Sequence, residues 1–487
     1  MTDFPYPGLR PFKQEESYLF FGRDELITQL TAKLDYHHFI AVIGDSGSGK
    51  SSLVRAGLLA RLRIIGVGGR EHWRVANMRP GSNPFFNLAS AFLKDTKNPE
   101  RLALRKEYLS YYDKVKPEGA VSHLQAVLTG DIENFYKKLE EILPENHNLL
   151  ILVDQFEELF RYSSEPQEVE DFIQSLLISC QHANSKVYVV ITMRSEFLDD
   201  CVEYESLIEA INRGFFQVPH LTRNQLKETI ELPARVCDGE VEANLVTQLL
   251  YDVGKMVDVN RFDQLLLLQY ALVQMWLKVN ATTKKLTLEQ YTDLGGDLTT
   301  ILTQNAERTY TYFSDDYKKT VEILFHRVCK RDEKGKYTRH PVKLGDVANL
   351  ANVQWQVVSD IVDRFRTEEN KLLSSRNKLS SGDYLRADDE IDITHESVIR
   401  QWKRLREWAS DEAERAVFYR HWESAAQRLK AKKGELWHKR DLDNALYWVE
   451  KFQHLYPEKK QLKEWTNRYG QNFNLAWKFL QKSKDAQ

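Results

Sequence analysis

The stretch Gly44–Ser51 reads G-D-S-G-S-G-K-S, between the apolar run "HFIAVIG" (38–44) and the helical "SSLVRAGLLARL". It fits G-x-x-x-x-G-K-[ST], and the physics requires each part of that pattern. Glycines let successive backbone N–H groups turn inward on one oxyanion, a conformation closed to most residues. The helix that starts at Ser51 and Ser52 adds the positive end of its dipole. The loop residues Gly44, Asp45, Ser46, Gly47, Ser48 and Gly49 thus predict a phosphate cradle. Lys50 would put a full charge on the β- and γ-phosphates, and Ser51 a hydroxyl on Mg²⁺. A glycine-rich turn without a ligand is the bland alternative, and a strand before with a helix after argues against it.

A metal-binding carboxylate should stand on a nearby strand. "NLLILVDQFEELF" supplies Asp154 at the carboxyl end of a buried run, where ligands of open α/β sheets bind. Asp154 would hold Mg²⁺, through water. Glu157 and Glu158 follow within a turn. Either could orient or deprotonate water, with Glu157 favoured, or both are solvated acids that favour the helix dipole. "VYVVITMRSEF" ends on Arg194, read as a γ-phosphate contact, or else as a surface arginine paired with Glu196. Arg213 reads as a solvated loop residue, with an arginine finger as the alternative.

Runs at 38–44, 73–78, 148–154, 186–193 and 215–220 read as strands alternating with helices. The second to fourth look buried on both faces, as in a parallel sheet. The fold class expected is α/β: a P-loop NTPase parallel sheet, then a helical lid, a winged-helix-like domain and a C-terminal α-helical region. The boundaries expected are 1–34 for an adenine-proximal segment, 35–220 for the nucleotide-binding domain, 221–312 for the lid, 313–405 for the winged-helix-like part and 406–487 for the helical tail. Residues 84–145 read as an insertion or extra helices between two strands. Seven tryptophans from Trp402 to Trp477 read as core residues of a helical bundle.

With 487 residues, 42% hydrophobic and 29% charged, the chain has material for about three cores. Its net charge of −3 supplies no global field for nucleic acid. The four cysteines form no CxxC pair, so neither zinc nor a disulfide framework is suggested. The N-terminus has no apolar signal core and "LLLLQYALVQMWL" is too short to span a bilayer, so a cytoplasmic protein without a membrane segment is expected.

"FPYPGLRPFKQEESYLFFGRDELITQL", "GDSGSGKSSLVRAGL", "ILVDQFEELF" and "ITMRSEFL" resemble the STAND class of P-loop ATPases, most of all the novel-STAND group of bacterial conflict systems. "LGGDLTTILTQNAERTY" (294–310), "ITHESVIRQWKRLREWASD" (393–411) and the terminal "FLQKS" extend the resemblance over essentially the whole chain. It implies a signalling switch: closed with ADP, opening on a trigger, exchanging to ATP and self-associating, in anti-phage defence or programmed death, with slow hydrolysis. It implies that Gly22 and Arg23 lie near adenine and ribose, and that Gly44, Gly49, Lys50 and Ser51 hold phosphates and Mg²⁺. Asp154 and Glu157 match the acidic pair, Arg194 the sensor arginine, and His395 a histidine on the β-phosphate of ADP; a buried structural histidine is the alternative there. Leu266 stands where relatives have a lid proline, which puts that base contact in doubt. The chain begins at the ATPase and stops where a sensor would start, which leaves three readings: a minimal sensor in the tail, a separate sensor or effector protein, or a fragment. Two further functions stay open, an AAA+ initiator-like ATPase acting on nucleic acid and a nucleotide-stabilised scaffold. The acidic "SSGDYLRADDEIDI" argues against the first, and "RLKAKKGELWHKR" is its best electrostatic support.

Overall fold

A computed structural model describes residues 4–65, 72–93, 117–129, 135–142, 147–163, 165–181, 185–256, 263–279, 283–331, 337–367, 370–375 and 385–486. The expected extra helices are Pro84–Leu93, Pro117–Thr129 and Phe135–Ile142; residues 94–116, and residues 376–384 at the predicted wing, lie outside the described set.

A five-stranded sheet contains the strands β1 (Phe39–Gly44), β2 (Trp73–Met78), β3 (Asn148–Val153), β4 (Val187–Arg194) and β5 (Phe215–Gln217), in the order β2-β3-β4-β1-β5. Every pair is parallel. The side chains of β1 alternate between two cores. Ala41 and Ile43 pack in a cluster with Phe85, Leu124, Phe172 and Leu207; Ile40 and Val42 pack in another with Leu30, Leu53 and Leu58. Burial on both faces is why β3 and β4 lack polar alternation: all their positions are buried. β2 departs from expectation, because it lies at the sheet's edge and is only half-buried. Placing β4 between β1 and β3 brings the ends of three strands together: Gly44 pairs in register with Arg194, and Val153 with Ile191.

The chain divides into two compact units, one chiefly 11–265 and the other chiefly 266–281 with 287–487, so the division falls inside the stretch read as a lid. In the first unit the helix Arg223–Val236 opens with a capping box between Thr222 and Gln225. In the second, helices Asp315–Val328, Leu344–Ala351 and Trp355–Arg366 accompany an antiparallel sheet in which Glu390–Ile393 lies between Val342–Lys343 and Leu373–Ser375. The helix Lys403–Lys430 then packs against Phe473–Asp485. Trp402, Trp422 and Trp465 are fully buried there, each with its indole N–H satisfied by Glu307, the Ala476 carbonyl and Glu412 respectively. No described helix is long and apolar enough to cross a membrane.

Candidate functional site

The loop after β1 is bent by two left-handed glycines, Gly47 at φ 74° and Gly49 at φ 89°. Gly49 caps the helix that starts at Lys50 and continues through a π-helical segment, Leu53–Leu59. A side chain there would be strained by the backbone alone. Lys50 curls back into its own loop, donating from Nζ to the carbonyls of Gly44 (2.8 Å) and Asp45 (2.6 Å). Burial pushes its ammonium down to about 8, and the field of Arg194 adds to this while Glu157, Asp154 and Asp45 oppose it. The hydroxyls of Ser46 and Ser48 are buried in the same loop without a hydrogen-bond partner among the described residues.

Asp154 follows β3 directly and is fully buried. Its Oδ1 accepts from Ser51 Oγ (2.7 Å) and Thr192 Oγ1 (2.6 Å), and its Oδ2 from Arg55 (2.7 Å). Burial works against its charge. The guanidiniums of Arg55 and Arg79 and the two hydroxyls outweigh it, so the carboxyl stays below its ordinary range. Glu157 lies one turn on, 3% exposed, with Oε1 3.2 Å from Arg194 Nε and Oε2 buried without a partner among the described residues. There burial wins over Arg194 and Lys50, and the carboxyl is raised. Both solvated alternatives for these residues are corrected: Glu157, Glu158 and Arg194 are buried, and Glu157 is the nearer partner of Arg194, with Glu196 at 3.7 Å. Arg213 is exposed on the helix Glu205–Gly214, as the solvated reading has it, although in a helix and not a loop.

The N-terminal segment is stitched to the loop. Arg23 is buried and donates from Nη2 to the Ser48 carbonyl (3.1 Å). Gly22 sits at φ 80°, where a Cβ would come within 2.8 Å of the Gln225 carbonyl on the helix Arg223–Val236. Ser52 Oγ accepts the Phe12 N–H (3.2 Å), and Gln14 donates to the Leu59 carbonyl (3.0 Å). Leu265 packs at the loop, its Cδ2 3.6 Å from where a Gly49 Cβ would be.

Sequence reasoning missed several of these residues. Ser195 and His220 carry no sequence signal, yet they meet Asp45, read only as one residue of the cradle: its carboxylate accepts from Ser195 Oγ (2.9 Å) and faces His220 Nε2 (3.1 Å), linking the loop to the ends of β4 and β5. Arg55 is four residues after Ser51, on the same helix face, and that spacing was the available signal. Thr192 had one too, as a hydroxyl in an otherwise apolar strand. His395 lies in the second unit, where it caps the helix Glu396–Gln401 by accepting the Ser397 N–H on Nδ1 (3.1 Å). In the neutral ring that leaves the proton on Nε2.

The sequence profile described as Novel STAND NTPase 1 matches residues 5–435. No curated protein gives a significant match. Among solved structures, the Aeropyrum pernix ORC2 protein in ADPNP–ADP complexes is similar at 11% identity and TM-score 0.40, over 80% of this chain and 94% of that one. A Walker-type ATPase of Pyrococcus abyssi is similar at 13% identity and TM-score 0.34, over 82% and 98% of the two chains. Drosophila ORC bound to DNA is similar at 12% identity and TM-score 0.33, over 80% and 87%. These are remote likenesses. The profile match covers most of the chain and accords with the buried loop, lysine and carboxylate described above: this chain belongs to the novel STAND NTPase 1 family.

Proposed function

We propose that the chain is an ATP/ADP-controlled signalling switch, which hydrolyses ATP slowly and self-associates in its ATP form, with a role in anti-phage defence or programmed cell death. One observation carries the reading. Lys50, Asp154, Glu157 and Arg194 are buried close enough to act on one another's charge at the carboxyl edge of the sheet, with half-buried Ser51 on Asp154 and Glu157 on Arg194.

Lys50 already aims its ammonium into the loop, so phosphate oxygens would replace the two carbonyls that now hold it. The partnerless hydroxyls of Ser46 and Ser48 fit the same cradle. One ionised carboxylate beside one hydroxyl fits Mg²⁺, which takes few protein ligands and keeps its waters; Ser51 and Asp154 would hold it. When bound, that ion would neutralise charge on the β- and γ-phosphates. Glu157, raised and with one oxygen uncommitted, suits the proton acceptor for attacking water. Arg194 now leans on Glu157; a γ-phosphate would compete for its guanidinium and release the glutamate. The third phosphate would thereby be sensed and attacked through one ion pair. Gly22 and Arg23 would border the base and ribose, and His395, its Nε2 carrying the proton, would donate to the β-phosphate of ADP.

The test is to identify the nucleotide that co-purifies and to measure the particle mass with ADP and with ATP. ADP in a small particle that grows with ATP is expected. Tight, salt-sensitive duplex binding with no change in mass would overturn the switch and favour a nucleic-acid role.

A further inference from the structure

One acid stands in the phosphate loop itself, and strand register chooses its neighbours. Gly44 at the end of β1 pairs with Arg194 on β4, so the residues that follow them, Asp45 and Ser195, also come side by side. On the other flank of β1 the Val218 N–H donates to the Ile43 carbonyl (2.7 Å), which carries the chain leaving β5 along the loop and delivers His220. The Asp45 carboxylate is therefore gripped from two sides. Its Oδ1 accepts from Ser195 Oγ (2.9 Å), and its Oδ2 lies 3.1 Å from His220 Nε2. With 27% of the side chain exposed and both oxygens engaged, the charge is held at the loop and not turned out into water.

That placement has an electrostatic consequence. Asp154 and Glu157 each face an arginine, Arg55 at 2.7 Å and Arg194 at 3.2 Å, whereas Asp45 meets a hydroxyl and an imidazole. Its main-chain carbonyl accepts from Lys50 Nζ (2.6 Å), and its charge is near enough to act on that ammonium. Its side chain is tied to the residue that follows Arg194. Lys50 and Arg194 are the two cations that the proposed reading sets on the third phosphate. A phosphate drawn to them meets a fixed negative charge close by, and like charges repel. A diphosphate lacks the outermost group and escapes most of that repulsion.

We infer that Asp45 is a specificity-determining residue, whose fixed carboxylate opposes a third phosphate and biases the loop toward diphosphate nucleotide. The inference rests on the switch reading above and gives it a reason for ADP to occupy the resting form. The full chain is titrated calorimetrically, at fixed Mg²⁺, with ADP and with the non-hydrolysable β,γ-imido analogue of ATP. Asp45→Asn keeps an oxygen for Ser195 and loses the charge. It should bind the analogue about tenfold more tightly than the parent does, and ADP within about twofold. Ser195→Ala keeps the charge and loses one of its holds, so the ratio of the two affinities should move the same way by no more than about threefold. A merely structural Asp45 predicts the reverse, with both substitutions weakening both nucleotides alike. Should Asp45→Asn not fold, Asp45→Ser makes the same comparison. Lys50→Ala, which should weaken both nucleotides, separates this proposal from the reading beneath it. If it does weaken both, and Asp45→Asn leaves the affinity ratio at the parent's value or weakens the analogue, the proposal is overturned and the phosphate loop stands. If Lys50→Ala binds both nucleotides as the parent does, the loop reading and the proposal fall together.

Discussion

The phosphate-loop site and the cluster around Glu412 both hide carboxylates from water, but they treat them differently. In the first, two acids three residues apart are pushed in opposite directions. Asp154 is held below its ordinary range because Arg55, Arg79 and two hydroxyls outweigh burial, while Glu157 is raised because burial outweighs Arg194 and Lys50. In the second, burial is overcome at both acids. His326, Arg468 and Tyr469 hold Glu412 at about 2, and His326 holds Glu322 below its usual value. A split pair equips a site for chemistry, since one group stays charged while the other can take a proton. A pair shifted the same way only fixes structure. Burial alone therefore does not separate a reactive carboxylate from a structural one; the sign of the shift, and the partner that sets it, do.

The largest effect expected is at Glu157. Glu157→Gln should slow ATP hydrolysis by about 10²–10⁴-fold, the usual contribution of a positioned base, and leave nucleotide binding nearly intact. Unchanged turnover in a steady-state assay would show that the split pair has no chemical meaning. Next is Glu412→Ala. It strands buried His326 and Trp465 and half-buried Tyr469 and should cost about 3–5 kcal/mol, read from the denaturant midpoint. A loss within the roughly 0.5 kcal/mol of an ordinary surface substitution would sink the structural role. Smaller again is Lys50→Ala, which deletes a charged donor and should weaken ADP binding by about 1.5–3 kcal/mol, or roughly ten- to a hundredfold, by titration. Affinity equal to the parent's would remove the reason for reading the loop as a phosphate cradle.

The two regions also differed in how far the sequence disclosed them. Local rules announce the first: glycines and Lys50 at fixed spacing, then strands ending on Asp154 and Arg194. The long sequence separation between Ser51 and Asp154 is bridged by parallel pairing, whose buried runs are visible as unbroken apolar stretches. What stayed hidden there depends on strand order. Nothing local tells Asp45 that Ser195 and His220 will meet it. The half-burial of β2 has the same origin, because an apolar run does not say whether it will be an edge. The second region gave almost no warning. Glu412 and Arg415 look like ordinary charges in a polar helix, and only the packing of Asp315–Val328 and the segment around Trp465 turns that face inward. The tryptophans did carry a signal: of the seven read as bundle core, Trp402, Trp408, Trp422 and Trp465 are buried, whereas Trp437, Trp448 and Trp477 are only half-buried.

The smallest effect, and the sharpest use of the comparison, is the pH dependence of the second region. Burial lowers the affinity of His326 for its proton, but Glu322 and Glu412, on its own helix and on Lys403–Lys430, more than reverse this, while Arg415 opposes them; the net shift is upward from 6.5. A raised histidine contributes stability that is fully present below the unfolded value and lost as pH rises through the higher folded one. Glu412 is depressed from 4.5 to about 2, so its contribution is present above the unfolded value and lost as pH falls toward the folded one. The two conditions overlap between about pH 4.5 and 6.5, where the pair contributes most. The stability difference between wild type and His326→Gln should therefore be greatest in that window and should shrink on both sides, by an amount on the order of 1 kcal/mol. Denaturant midpoints at pH 5.5 and 8.5 decide it. A difference that grows toward pH 8.5 would mean that His326 is buried neutral, and that Glu412 owes its depressed value to Arg468 and its neutral donors.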